Sequence, residues 1–121
     1  MAARPKRSRR RTPLPGYKVR GSKTGRPIMA LLDLVSRRWL LRIVWELRAG
    51  PLKFRALQAA SGELSPTLLN RRLKELRDAG LVDLSPEGYH WTDLGRTFGV
   101  AIQPLSAWAE KWADAVRGRG A

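Results

Sequence analysis

The sequence predicts a mainly α-helical fold carrying one small β-hairpin, built as a single domain. Three observations point there. Apolar residues recur at spacings of three and four through most of residues 27–116, the period drops to two between Leu81 and Leu84, and Gly or Pro punctuates most changes of pattern. With 121 residues and 43% apolar side chains, the chain has material for one modest core and not for two.

Residues 1–26 hold ten Lys or Arg and no acid, with Pro5, Pro13, Pro15, Gly16, Gly21 and Gly25 among them. Such a segment buries no apolar face and sustains no helix, so a disordered basic arm is expected there. Pro27 suits the first position of a helix that continues through Ile28, Leu31, Leu32 and Val35. A second helix is expected over residues 37–49, with Trp39, Leu40, Ile43, Val44 and Leu47 as its stripe and Gly50-Pro51 as its stop. A short third helix over residues 53–60 places Phe54, Leu57 and Ala60 on one side before Gly62 breaks it.

The fourth helix has the clearest boundaries. Ser65 caps it, Pro66 opens it, and Gly80 closes it. Leu69, Leu73 and Leu76 form its inner stripe with Leu68 beside them, and Thr67, Asn70, Arg71 and Lys74 line the opposite face. Leu81-Val82-Asp83-Leu84 and Tyr89-His90-Trp91 then make a hairpin around Pro86-Glu87-Gly88. Helical spacing returns in Leu94, Phe98, Ile102, Leu105, Trp108 and Trp112, with a kink or restart expected at Pro104 and a flexible tail over residues 117–121.

A short helix, a Gly-containing turn, a capped helix with a polar outer face and then a hairpin is the order of a winged helix-turn-helix. Several linked segments also resemble the HxlR-type bacterial regulators. They are Leu32-Asp33-Leu34-Val35-Ser36-Arg37-Arg38-Trp39, Gly50-Pro51-Leu52-Lys53-Phe54, Leu64-Ser65-Pro66-Thr67-Leu68-Leu69-Asn70-Arg71-Arg72-Leu73-Lys74-Glu75-Leu76, Ala79-Gly80-Leu81-Val82 and Thr92-Asp93-Leu94-Gly95. The resemblance implies a winged-helix transcription factor that dimerises through its first and last helices. The last helix agrees by itself, because a small domain has little spare core for so many large apolar side chains. Ile28, Leu31, Phe98, Ile102, Leu105, Trp108 and Trp112 are therefore expected at a homodimer interface. The chain departs from the family in its short wing without Lys or Arg, in lacking a cysteine near its start, and in the later place of Pro104. The same element order also suits winged-helix regulators of the MarR and ArsR kinds.

The formal net charge is +14, and residues 27–121 contribute only 14 basic against 10 acidic residues, so the excess sits in front of a mildly basic body. That distribution suits a polyanion, here double-stranded DNA. Residues near the start of a recognition helix reach base edges, which assigns base reading to Pro66, Thr67, Asn70 and Arg71. Asn and Arg pair bidentately with adenine and guanine, and Thr touches a thymine methyl or a phosphate. Lys53, Arg55, Ser65, Arg72 and Lys74 are assigned to phosphates, and Arg4, Lys6, Arg7, Arg9, Arg10 and Arg11 form a basic arm for the backbone or an adjacent minor groove. An i, i+4 pair of Arg71 with Glu75, and of Lys74 with Asp78, is the competing use of those cations.

The function expected is that of a sequence-specific transcriptional regulator, a repressor by default, binding a palindromic operator. The alternative is an architectural protein whose arm coats nucleic acid without choosing sequence. Without cysteine and with His90 as the single histidine, the chain offers no thiol nucleophile and no histidine-rich metal site, so neither an enzyme nor a cofactor is expected. No apolar run approaches the ~20 residues that span a bilayer, and a cytoplasmic, nucleoid-associated protein is expected. The five tryptophans, Trp39, Trp45, Trp91, Trp108 and Trp112, leave a small aromatic effector as a candidate second partner, with core or interface packing as their commoner use.

Overall fold

Leucine stripes at helical spacing decide the architecture, because each must be covered by another element. The computed structural model describes residues 12–120. In chain order it contains α1 (Pro27–Val35), α2 (Leu40–Glu46), α3 (Phe54–Ala60), α4 (Pro66–Asp78), β1 (Val82–Ser85), β2 (Gly88–Trp91), α5 (Asp93–Ile102) and α6 (Pro104–Gly120). Leu40, Ile43, Val44 and Leu47 around α2, Leu57 of α3, and Leu69, Leu73 and Leu76 of α4 meet in one core, which Leu34, Leu64, Leu81 and Val82 complete.

The hairpin pairs Val82 with Trp91 and Ser85 with Gly88, leaving Pro86-Glu87 as a two-residue turn rather than three. Leu52 and Tyr89 exchange backbone hydrogen bonds of 3.0 and 2.8 Å, which ties the wing to the segment before α3. Gly88 is required at that crossing, since a Cβ would lie 2.5 Å from the Leu52 backbone. Trp91 then anchors the far strand: its indole N–H donates to the Val44 carbonyl at 2.9 Å, and its ring lies so close to Gly99 that a Cβ there would stand 2.5 Å away. Thr92 caps α5 by accepting from the Gly95 N–H at 2.9 Å.

Three further expectations change. The second helix is shorter than residues 37–49, because Trp39 takes a left-handed conformation at φ 70° and stands outside the helix as its N-cap. The last helix does restart at Pro104, which occupies the first position of α6 after Gln103 closes α5, but α6 continues to Gly120 instead of fraying at residue 117.

The largest difference concerns the arm. Its residues 1–11 lie outside the described residues, but residues 12–26 are folded turns. Thr12, Pro13 and Val19 are buried. The Thr12 hydroxyl donates to Asp78 Oδ2 at 2.8 Å, Gly16 N–H donates to Gly25 O at 2.9 Å, and the Ser22 hydroxyl accepts from the N–H groups of Gly25 and Arg26. Arg20 N–H reaches the Asp33 carboxylate of α1 at 3.1 Å. The Gly and Pro residues that forbid a helix here build turns instead: a Cβ on Gly25 would lie 2.2 Å from Tyr17 O.

Candidate nucleic-acid interface

α3 and α4 are joined by a turn in which Gly62 and Glu63 both adopt positive φ, at 89° and 57°. Gln58 holds that turn from within α3, accepting the Glu63 N–H at 2.9 Å on its backbone carbonyl and donating its side-chain amide to Leu64 O at 2.7 Å. Leu64 and Ser61 are buried beneath it. The Ser65 hydroxyl accepts from the Leu68 N–H at 3.1 Å and caps α4, with Pro66 in the first turn. The hydroxyl hydrogen of Ser65 remains free to donate outward.

With Leu69, Leu73 and Leu76 fixed in the core, Pro66, Thr67, Asn70, Arg71 and Lys74 are all exposed on the opposite face of α4, and Lys53 and Arg55 are exposed at the start of α3. Arg71 enters no ion pair among the described residues. The pair foreseen with Glu75 does not form, because Glu75 is buried and faces Arg72 and Arg37. Lys74 does pair with Asp78, at 2.9 Å, while its side chain stays largely exposed.

Arg72 corrects the phosphate assignment. It is buried, with Nε donating to Arg38 O at 2.7 Å and Nη1 to Glu75 Oε1 at 2.8 Å, so it clamps α4 to the α1–α2 connection instead of facing outward. The signal was available in the sequence: 69, 72, 73 and 76 form one i, i+3, i+4, i+7 face, and an Arg on that face three residues before a Glu makes an inward pair. Asp78 takes the expected pair with Lys74 and also accepts from Thr12, a partner that the sequence does not announce. Partial burial alone would raise its pKa, but hydrogen bonds from Lys74 and Thr12, with the charges of Lys74 and Arg77, outweigh that and hold it below the usual value.

The wing carries Glu87 at its tip, held by the Ser85 hydroxyl at 3.2 Å, and no Lys or Arg lies between Val82 and Trp91. His90 is an ordinary strand residue whose Nδ1 lies 3.0 Å from Trp91 O. Among the described residues no group of His, Cys, Asp or Glu is arranged to hold a metal, and no helix is long and apolar enough to cross a membrane. Arg4, Lys6, Arg7, Arg9, Arg10 and Arg11 lie outside the described residues.

Of the residues assigned to an interface between copies, Ile28, Leu105, Trp108 and Trp112 are exposed and Leu31 is half-buried. Leu32 and Val116 join the exposed set. Trp108 and Trp112 stack at 5.9 Å between ring centroids while remaining 57% and 58% exposed. Phe98 and Ile102 differ: both pack against the protein's own core, because α5 lies on the wing strand through Gly99 and Trp91.

A capped helix with an exposed polar face, set behind a short helix and tight turn and followed by a wing, defines a winged helix-turn-helix DNA-binding protein. The chain belongs to the HxlR-like helix-turn-helix family, whose model matches residues 34–117. It is 37% identical over 90 residues to the HTH-type transcriptional regulator YvaP of Bacillus subtilis, covering 69% of this chain and 83% of that protein. The HTH-type transcriptional regulator YodB of the same organism is 28% identical over 89 residues, covering 68% and 80% of the two chains. The crystal structure of quinone-bound YodB superposes with a TM-score of 0.64 at 27% identity, covering 69% of this chain and 96% of that one; the reduced form gives 0.60 at 29%, covering 70% and 91%. The chain is thus a DNA-binding transcriptional regulator and not an enzyme.

Proposed function

We propose that this regulator reads a palindromic operator as a homodimer and represses by occupying it, acting in the cytoplasm on nucleoid DNA. The observation that carries the reading is the group Thr67, Asn70 and Arg71, exposed beside the capped start of α4, with no ion pair claiming the Arg71 guanidinium among the described residues. Non-specific attraction to phosphate does not require such a group, whereas base edges do. Pro66 lies at the same end, and Lys53, Arg55, Ser65 and Lys74 surround it as phosphate contacts. Arg72 is withdrawn from that role. The arm residues Arg4 to Arg11 supply the positive charge that the wing lacks.

The apolar stripe of Leu105, Trp108 and Trp112 on α6, with Ile28 on α1, supports the homodimer, because water exposure of two stacked tryptophans is costly. Two copies related by a two-fold axis place their α4 helices on half-sites about one helical turn, ~34 Å, or a multiple of it apart. Selection of binders from random duplex DNA at ~150 mM salt tests this, since non-specific attraction is weak there. A palindromic motif is expected. Tight binding at low salt with no motif enriched would instead establish the architectural reading, in which the arm is the main contact.

A further inference from the structure

The junction of α2, the wing and α5 encloses a cavity of about 300 Å³, at the small end of the roughly 300–1,000 Å³ typical of ligand sites. Trp45 enters from α2, Arg48 from the turn that follows it, Trp91 from β2, and Arg96 and Val100 from α5, with Gln103 at the link to α6. Two features of this lining select a ligand. Its charged residues are two arginines with no acid, and its largest apolar surfaces are two indole rings. Gly99 makes room for one of those rings, since a Cβ there would meet Trp91.

Neither arginine is locked away from a ligand. The Arg48 guanidinium lies 4.4 Å from the centre of the Trp45 ring and donates Nη1 to the Trp45 carbonyl, which leaves its other N–H groups available. Arg96 is paired with Asp93 at 3.4 Å, but both side chains are well exposed, and a solvated pair of this kind exchanges for another anion at little cost. A guanidinium fork matches a carboxylate, and an indole face matches an aromatic ring. With no cysteine in the sequence, nothing here attaches a ligand through sulfur.

We propose that this cavity is a reversible binding site for a small aromatic carboxylate, and that its occupancy changes operator affinity through the α5–α6 junction. The second half rests on the function proposed above; the first does not. In the test, the full chain without DNA is titrated with benzoate, with tryptophan fluorescence and heat recorded, and benzyl alcohol serves as the uncharged control. Saturable binding of one benzoate per chain is expected, with benzyl alcohol much weaker, and with Arg48→Gln and Arg96→Gln each weakening benzoate by about tenfold while melting like the parent. No saturation, equal binding of benzyl alcohol, or unchanged binding in both variants would overturn the site. With the selected operator, saturating benzoate is expected to change affinity at least about threefold in the parent and not in Arg96→Gln at the same concentration. An unchanged affinity at a demonstrably filled site overturns the coupling. Failure to find any operator sinks the operator-reading proposal while the benzoate titration still decides the site.

Discussion

Two neighbouring arginines on α4 have opposite fates, and their substitutions separate recognition from folding. Arg71→Ala is expected to cost about 1–3 kcal/mol of operator affinity and to relax one base position, with the melting temperature unchanged. Arg72→Ala is expected to cost roughly 3 kcal/mol of stability, because Glu75 then keeps only the longer contact of 3.8 Å to Arg37. Thermal melts beside operator titrations check both at once. The sequence showed the outer face correctly, since Leu69, Leu73 and Leu76 dictate it, but a count of positive charge drew Arg72 into the wrong group. Asp78 gives a pH prediction. Its folded pKa lies below the unfolded value, so its contribution to stability is present above about pH 4 and is lost as pH falls through the folded pKa. Asp78→Asn should therefore lower the melting temperature at neutral pH and lose that deficit in acid.

At the scale of elements, helix existence was legible wherever an apolar stripe met a cap or an opening proline, as at Ser65-Pro66 and Pro104. Boundaries failed where a single backbone conformation decided them. Nothing in the composition of residues 37–39 announces that Trp39 turns left-handed, and no periodicity marks α6 beyond Val116. Residues 12–26 were misread because their order comes from partners distant in sequence: Thr12 reaches Asp78, and Arg20 reaches Asp33. Two truncations follow from this. Removing residues 1–11 should flatten the salt dependence of DNA binding, by about 0.9 in the logarithmic slope for each phosphate that the arm no longer neutralises. Removal of residues 1–26 should lower the melting temperature as well, because Thr12, Pro13 and Val19 are buried against the domain. Equal melting temperatures for the two truncations would show that the turns add nothing to the fold.

For the whole molecule, the exposed stripe of Leu105, Trp108 and Trp112 on α6 leaves large apolar side chains in water, and a second copy is the occupant proposed for it. Sedimentation should give twice the 13.6 kDa chain mass at micromolar concentration. Replacing Trp108 and Trp112 together by Glu should weaken that association at least about a hundredfold, given roughly 1.5–3 kcal/mol for each large apolar side chain buried. A monomer in the parent would refute the dimer. The family segments imply the same partner, although Phe98 and Ile102 pack against the protein's own core. The bond from Thr12 to Asp78 bears on the same assembly in another way. It fixes Thr12 at the end of α4, so the arginines among the eleven residues before it lie within about 40 Å of that point whatever their conformation. In the proposed operator complex, docking of α4 would present those arginines to the duplex as intramolecular ligands, at an effective concentration set by geometry rather than by the amount of protein. Weak individual contacts would then suffice, and in the proposed homodimer two such sets, one from each copy, would lengthen residence on the operator without any new surface in the folded domain.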